Sequence, residues 1–321
     1  MLRYVFRRLT TSLGLLVLSS MLIFLVLRVI PGDPTITKLG GTIKDVDPRA
    51  LQAIRHQLGL DQSLPAQYVH WVGGVLHGNL GRSYFSQFPV TTLVAQRVGA
   101  TLELAILALL IGLLIAVPAA TLAAIWRNRV FDALVSGFTA VGTALPVFLT
   151  GIILIVIFGE KLHALPTSGY VSITHHPFKS LEGTLLPAIA LGIAVAAPIL
   201  RVLRASMVDV GSAPFIRTAE GKGLLRRQVV IRHLLPNAAI PALTTAGVII
   251  GSLLGGAVVV EYVFARPGLG SLMVDSVFQR DYGVLQTLVL LAAAFFILTS
   301  FFVDVLYGVI DPRLRESREE V

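Results

Sequence analysis

The sequence predicts an all-α membrane protein with six transmembrane helices and with both termini in the cytoplasm. Of its 321 residues 55% are hydrophobic and only 14% are charged. Soluble domains carry roughly 25% charged residues, so this chain lacks the polar surface that a water-facing domain needs. It also contains six charge-free runs of at least 18 residues, each long enough to cross a hydrocarbon layer of about 30 Å as a helix. The runs cover residues 9–27, 104–126, 133–159, 183–200, 234–260 and 282–303.

The distribution of basic residues predicts the orientation of these helices. With the N-terminus in the cytoplasm, fifteen of the 26 basic residues fall on the cytoplasmic side and four fall in the two short outer loops. Short cytoplasmic loops are enriched in Lys and Arg, so this orientation is favoured. The formal net charge of +8 is therefore explained by topology and by contact with membrane lipid, and it requires no nucleic-acid partner.

The first run follows Arg3, Arg7 and Arg8, as the apolar core of a signal peptide would. It is longer than the 7–15 residues usual for such a core, and no small-x-small cleavage site follows it. We therefore expect residues 1–30 to form a cytoplasmic tail and an uncleaved first transmembrane helix.

Residues 31–98 are predicted to form an extracytoplasmic segment with two amphipathic helices, at residues 47–59 and 65–78. One interpretation is a cap on the membrane surface, with Tyr68 and Trp71 as interfacial anchors. The other is a docking surface for an external partner. The sequence leaves both open.

Several membrane helices contain features that suit either a transport path or close helix packing. The fifth helix carries glycines at intervals of about four residues, a pattern that lets helices approach closely. Ionisable groups at membrane depth are costly and are therefore candidates for function, although near helix ends a structural role is equally expected. These candidates are Arg28, Glu103, Arg201, Glu261 and Asp304. The residues predicted for a translocation path are Glu261, Glu103, Gly255 and Gly256.

The cytoplasmic segment 209–236 is too polar to span the membrane and too long for a tight turn. Ser212 is a suitable N-cap for a short helix with Pro214 in its first turn. Gly223 falls where this helix should end, in a turn that is expected to need a positive φ. A second helix is expected to lead into the fifth membrane span at Pro236. The predicted structure is a short helix, a glycine turn and a second helix.

This segment resembles the EAA loop of ABC importer permeases, in which a glycine precedes a proline by thirteen residues, as Gly223 precedes Pro236. Arg217, Thr218 and Ala219 occupy the EAA positions, with Arg217 where the general motif has Glu. The chain is similar throughout to the B-type permease subunit of dipeptide and oligopeptide importers. The supporting motifs are Arg3-Tyr4-x-x-Arg7-Arg8, Pro31-Gly32-Asp33-Pro34, Leu58-Gly59-Leu60-Asp61, Gly78-Asn79-Leu80-Gly81-x-Ser83, Pro89-Val90, Thr101-Leu102-Glu103-Leu104-Ala105, Leu165-Pro166, Arg266-Pro267-Gly268-Leu269-Gly270, Gln279-Arg280-Asp281-Tyr282 and Asp311-Pro312-Arg313.

The resemblance implies a type I ABC importer transmembrane domain: a five-helix core at 99–310 follows the external segment, 209–236 is its coupling loop, and 311–321 form a cytoplasmic tail. It implies peptide transport across a bacterial plasma membrane with a second, similar permease, an external peptide-binding protein and two ATP-binding subunits or one fused ATPase. The residues expected to couple to the ATPase are Phe215, Arg217, Thr218, Ala219, Glu220, Lys222 and Gly223.

The chain itself is not expected to be an enzyme. It has no G-x-x-x-x-G-K-[ST] phosphate-binding loop, so ATP and Mg²⁺ are expected on the partner subunits and no cofactor on this chain. It has no cysteine, which excludes thiol nucleophiles and Cys-ligated metals. Nickel and glutathione importers use similar permeases and are the alternatives for cargo. An intramembrane enzyme would need paired catalytic groups at depth, and a passive channel would leave the cytoplasmic helix-turn-helix unexplained.

Overall fold

The computed structural model describes residues 2–29, 52, 56, 61–126 and 129–310. Within these ranges the regular structure is helical, apart from one isolated bridge between Arg82 and Pro89. The helices are α1 (Leu2–Val29), α2 (Leu64–Leu76), α3 (Val90–Trp126), α4 (Arg129–Ala144), α5 (Val147–Leu154, continued by a π-helical turn Ile155–Lys161), α6 (Pro177–Gly211), α7 (Pro214–Gly221), α8 (Arg226–Val229, joined by a π-helical turn Val230–Leu234 to the next), α9 (Leu235–Val263), α10 (Leu269–Phe278) and α11 (Tyr282–Ile310).

Five of these helical segments are long and apolar enough to cross a membrane, and a bent pair provides a sixth crossing if it counts as one span. The predicted all-α membrane architecture is thereby confirmed. The bent pair is α4 and α5, which meet at an angle of 108°. The sequence predicts a single span there, at residues 133–159, but Pro146 lies at the break. Proline lacks the N–H group that would continue the helical hydrogen bonds, so a helix can end at this position.

The other prolines in the membrane helices do not break them. Pro118 lies inside α3, Pro187 and Pro198 inside α6, and Pro241 inside α9. In a bundle, neighbouring helices and local adjustments compensate for the missing N–H groups.

The centre of the bundle is α6, whose most apolar window is 61% buried, whereas the corresponding window of α11 is 6% buried. Small residues let α3 and α6 approach closely. A Cβ atom on Gly112 would lie 2.5 Å from Val195, and one on Gly192 would lie 3.1 Å from the Ala108 carbonyl oxygen. The packing at Gly112 therefore leaves no room for a Cβ atom, and at Gly192 a Cβ atom would have to displace its neighbours slightly.

The glycine stripe of α9 serves packing over part of its length. Cβ atoms on Gly247 and Gly251 would lie 2.2 Å from Val303 and 2.9 Å from Phe296, both on α11. Close packing is thus the observed reason for these two glycines, which the sequence left open between packing and transport.

The predicted external segment contains α2, one of its two predicted helices, while all of the other predicted helix at 47–59 except residues 52 and 56 lies outside the described residues. Tyr68 and Trp71 pack on Phe24 of α1, with ring centroids 5.5 and 6.1 Å away, and the Tyr68 hydroxyl lies 2.8 Å from that of Ser20. Because α3 begins at Val90, residues 90–98 of the predicted external segment continue into a membrane helix.

Candidate functional site

The first candidate site is the short helix α7 between the two membrane helices α6 and α9. Pro214 occupies its first turn, as predicted, but its N-cap is Ala213 rather than Ser212. The Ser212 hydroxyl instead donates to the Asp209 carbonyl oxygen at 2.7 Å, and Ser212 caps the preceding helix. The predicted N-cap was wrong by one residue because a serine between two closely spaced helices can serve either end.

The two faces of α7 differ in their surroundings. Ile216 and Ala219 are buried in the hydrophobic core of the bundle. Phe215 is 46% exposed. The other exposed residues of the predicted coupling set are Arg217, Thr218, Glu220, Lys222 and Gly223. The helix therefore packs an apolar face against the bundle and exposes a polar face that carries one aromatic ring. Of the predicted coupling residues, Ala219 lies on the buried face.

Gly223 ends this helix in a left-handed conformation, with φ of +78°. Its N–H donates to the Glu220 carbonyl oxygen at 2.9 Å, and a Cβ atom there would meet nothing within 4 Å. The requirement for glycine is therefore conformational rather than steric, since other residues adopt this region at a cost. The expected positive φ is confirmed.

Two contacts fix the position of this segment beneath the bundle. The Arg226 guanidinium donates to the Ile125 carbonyl oxygen at the end of α3, at 2.7 Å. The Nη2 atom of Arg204, near the end of α6, forms an ion pair with Asp132 of α4 and donates to both of its carboxylate oxygens. Together they link α7 and its flanking helices to α3 and α4.

At the opposite end of α9, Glu261 forms what we call the carboxylate cap. Its side chain is fully buried and accepts hydrogen bonds from the Thr101 hydroxyl at 2.6 Å and from the Gly270 and Ser271 N–H groups at 2.7 and 3.1 Å. These two N–H groups are among those that the start of α10 leaves without helical partners. A carboxylate at this position accepts hydrogen bonds from both N–H groups, and its negative charge interacts favourably with the positive end of the helix dipole.

The glycines of the Arg266–Gly270 motif make room for this cap. A Cβ atom on Gly268 would lie 2.1 Å from the Glu261 carboxyl group, and one on Gly270 would lie 2.3 Å from the Val258 Cα atom. The backbone of the loop therefore runs directly against α9, which only glycine permits.

Beside the cap lies a second buried cluster, the arginine network of Arg266, Glu103, Ser180 and Thr184. Arg266 is 2% exposed, donates to the Thr184 hydroxyl at 2.8 Å and lies 3.4 Å from the Glu103 carboxylate. Glu103 also accepts from the hydroxyls of Ser180 and Thr184. Burial lowers the pKa of the Arg266 guanidinium, and the nearby Glu103 acts in the opposite direction. The buried positive charge of Arg266 is thus balanced by the negative charge of Glu103.

The arginine network joins two membrane helices and two loops. Glu103 belongs to α3, Thr184 to α6, and Arg266 to the loop after α9, while the Tyr170 ring lies 4.6 Å from the guanidinium carbon. A cation over an aromatic ring adds to such an anchor. The ends of α3, α6 and α9 are therefore tied together at one level.

Both glutamates predicted for the translocation path thus lie in adjoining buried clusters, where neighbouring residues donate hydrogen bonds to their carboxylates. A Cβ atom on Gly256 would lie 3.0 Å from the Leu191 side chain, whereas Gly255 is exposed and has open space around it. Their part in a path stays a prediction. Thr101 and Arg266 were noticed in the sequence only as parts of family motifs, and Thr184 was not a candidate. Polar residues beside a charged one at the same end of predicted spans were the available signal.

A third polar anchor connects the loop before α3 to the start of α11. The buried Asp281 carboxylate accepts from the Ser83 hydroxyl at 2.5 Å and the Tyr84 N–H at 3.0 Å. Burial raises the pKa of the neighbouring Tyr84 hydroxyl. Two motifs that were individually weak in the sequence, at 78–83 and 279–282, therefore contact each other.

Residues 108–316 match the family "Binding-protein-dependent transport system inner membrane component", and residues 1–105 match its N-terminal companion family. The chain belongs to this family. The "Probable peptide ABC transporter permease protein y4tP" of Sinorhizobium fredii is 37% identical to this chain, over 97% of this chain and 99% of its own length. The "Glutathione transport system permease protein GsiC" of Escherichia coli K12 is 41% identical over 98% of this chain and 99% of its own.

A solved structure, "Crystal structure of an amino acid ABC transporter with histidines", shares 18% identity with a TM-score of 0.47, covering 70% of this chain and 94% of that chain.

Family membership places the chain in the bacterial inner membrane as a multi-pass permease subunit of an ABC importer. Such a permease works in a complex with an ATPase and a binding protein. The family is a transport component rather than an enzyme family, and it carries no cofactor of its own. Among the described residues, no group of His, Cys, Asp and Glu side chains is arranged to hold a metal ion.

Proposed function

We propose that this chain is the B-type permease subunit of a peptide importer and that α7 is its coupling helix. The observation that carries this proposal is the division of α7 into a face buried in the bundle, with Ile216 and Ala219, and an exposed face that begins with Phe215. A helix seated in this way transmits a push from a partner to the bundle without itself unfolding.

The proposed orientation places α7 and the N-terminus in the cytoplasm, where an ATPase would be. The excess of basic residues on that side supports it. The carboxylate cap and the arginine network then lie at the extracytoplasmic end of the bundle, together with α2. The proposed domain organisation is the one given by the sequence: the N-terminal helix, an external segment, a five-helix core with the 209–236 loop, and a cytoplasmic tail.

The proposed complex has this chain beside a second, similar permease, two ATP-binding subunits or one fused ATPase, and an external peptide-binding protein. ATP-driven closure of the ATPase would move α7, and with it the ends of α6 and α9. A two-state movement of packed helices driven by a partner is a known way to alternate access. In this mechanism the partner subunits bind ATP and Mg²⁺.

Peptides are the proposed cargo, because one relative of nearly the same length is described as a peptide ABC transporter permease. Glutathione, itself a tripeptide, is the second candidate, because other relatives at 41–42% identity are described as glutathione permeases. The test is to isolate the cognate external binding protein and measure its affinity for dipeptides, longer peptides and glutathione. Binding of none of these would contradict the proposed cargo.

The coupling helix can be tested by site-specific cross-linking, since the chain has no cysteine and an introduced thiol is therefore the only one in this chain. A photoreactive maleimide placed on Thr218→Cys in the assembled complex should cross-link to the ATPase. The matched control is Val171→Cys, an exposed position in the loop on the other side of the bundle, which should give no such product. Cross-linking of both or of neither variant would refute the assignment.

A further inference from the structure

A polar cavity of about 650 Å³ lies between the end of α1, α2, the loop at 79–87 and the start of α11. It is separate from α7, from the carboxylate cap and from the arginine network. Its described lining residues include Arg28, Trp71, Arg82, Tyr84 and Gln286, and none of them is acidic. Cationic groups without a carboxylate among the described lining residues favour an anionic occupant.

Arg28 is a half-buried cation without an acidic partner among the described residues. Its guanidinium carbon lies 5.1 Å from the centroid of the Phe24 ring, on the same helix. The other cation at this end of the cavity, Arg82, uses its Nε atom to donate to the Gln87 carbonyl oxygen at 2.9 Å and has no ion pair within the described chain. Both guanidinium groups thus retain donor capacity toward the cavity.

Gln286 supplies an independent observation. It lines the same cavity, its residue is only 8% exposed, and its Nε2 atom is buried with no hydrogen-bond acceptor. A buried donor left without an acceptor costs free energy, so native structures pair such groups with protein, water or a ligand. An acceptor that enters the cavity would satisfy it.

The height of the cavity in the membrane indicates where that acceptor comes from. On α1 the rise from Arg8 to Arg28 is about 30 Å, which is the thickness of the hydrocarbon layer. If Arg8 lies at one membrane surface, Arg28 therefore lies at the phosphate level of the other. Below Arg28, α1 exposes a continuous apolar surface that acyl chains can cover, formed by Leu18, Leu22, Leu25 and Val26. The rings of Tyr68 and Trp71 lie at the same level, as aromatic residues do at membrane interfaces.

We infer that this cavity binds the headgroup of an anionic phospholipid, with Arg28 and Gln286 donating to its phosphate oxygens and the acyl chains lying along α1. Arginine suits this role because its planar guanidinium donates to two phosphate oxygens at once. The bound lipid would fix the end of α1 against α2 and α11. The inference concerns a lipid site and is independent of the cargo and of the coupling helix.

The test uses the intact complex, purified in mild detergent, and native mass spectrometry to measure retained phosphatidylglycerol relative to added phosphatidylcholine. The wild type should retain phosphatidylglycerol preferentially. Arg28→Gln should weaken this binding about tenfold, the loss of one charge-assisted contact, and Gln286→Leu should weaken it by a smaller factor. Arg28→Lys, which keeps the charge, should bind better than Arg28→Gln.

The matched control is Lys179→Gln, which removes an exposed cation on α6 outside the cavity and should leave retention unchanged. The inference would be overturned if the wild type and Arg28→Gln retained phosphatidylglycerol equally. It would also be overturned if the wild type bound phosphatidylcholine as tightly as phosphatidylglycerol. Inorganic phosphate alone raising the thermal stability as much as phosphatidylglycerol does would also overturn it, because the phosphate would then come from solution. If Arg28→Gln fails to assemble, Gln286→Leu alone decides between these outcomes, since it changes no charge.

Discussion

Glu261 offers a prediction that separates a structural role from a transport role. In Glu261→Gln, the amide oxygen can keep accepting from the Gly270 and Ser271 N–H groups, while the amide nitrogen can donate to the Thr101 hydroxyl oxygen. In Glu261→Leu, the two N–H groups and the hydroxyl lose their acceptor, and the leucine still fills the space. The two variants therefore differ in hydrogen bonding more than in volume.

The hydrogen bonds at Glu261 give the size of the effect. Each buried donor left unpaired costs about 1–3 kcal/mol, so the two N–H groups alone make Glu261→Leu less stable by roughly 2–6 kcal/mol. In Glu261→Gln the two N–H bonds are kept but no longer go to a charged acceptor, and only the Thr101 proton is left unpaired, for a cost of about 1–3 kcal/mol. The expected order of stability is wild type, then Gln, then Leu, with a clear gap before Leu.

The assay compares thermal unfolding of the assembled complex with peptide uptake in proteoliposomes. If Glu261 is a cap, uptake follows stability: Glu261→Gln transports nearly as well as the wild type, and Glu261→Leu loses both properties. Glu182→Gln, an exposed glutamate on α6 near the same end of the bundle, is the control and should change neither. The cap is refuted if Glu261→Gln unfolds at the wild-type temperature yet no longer transports, since the charge would then act in transport itself.

Three further predictions concern the turn, the arginine network and the glycine stripe. Gly223→Val forces a β-branched residue to φ of +78°, which costs about 1–2 kcal/mol; ATPase activity should persist while uptake falls, and coupled transport at the wild-type ratio would contradict this. Arg266→Met should destabilise the complex by about 3–5 kcal/mol because it leaves Glu103 buried and unpaired, and adding Glu103→Gln should restore part of the loss in thermal unfolding. Gly247→Ala should be destabilising because its Cβ would lie 2.2 Å from Val303, and Val303→Ala should rescue it; no rescue would place the cause elsewhere.

The helical spans could be predicted from the sequence because a membrane allows few ways to satisfy backbone polar groups. Charge-free runs located the core of every span, but the helices extend beyond them. The predicted run 183–200, for example, lies within α6, which covers Pro177–Gly211. Helices continue into the headgroup region, where polar residues are tolerated, so hydropathy alone underestimates their length.

The break between α4 and α5 shows the limit of the same reasoning. Six prolines lie in the predicted spans, and only Pro146 coincides with a 108° bend. Each of these prolines lacks the same N–H group, and exposure does not distinguish them, because Pro118 and Pro241 are exposed inside unbroken helices just as Pro146 is exposed at the break. Tertiary contacts that compensate for a lost hydrogen bond are not visible in a single sequence.

The partners of Glu103 and Glu261 could not be derived from the sequence for a related reason. Thr184 and Arg266 contact Glu103 across separations of 81 and 163 residues along the chain, and periodicity provides no information at that range. By contrast, the positive φ at Gly223 is a local property of a helix followed by glycine, and the sequence predicted it correctly. Local backbone chemistry was therefore predictable, while the pairing of polar groups between helices required the structure.

The positions of the polar anchors indicate which parts of the bundle can move as one body. At the extracytoplasmic end of the proposed orientation, the arginine network joins α3, α6 and the loop after α9, and at the other end Arg226 joins the segment after α7 to α3. Displacing α7 therefore acts on helices that are tied at both ends, and a tied group rotates as a unit more readily than it shears. Asp281 and Phe24 instead connect α11 and α1 to the external segment. Although α1 and α11 are weakly buried, the packing of Gly247 and Gly251 against Val303 and Phe296 couples α11 to α9, so we expect α11 to move with the α3–α6–α9 group.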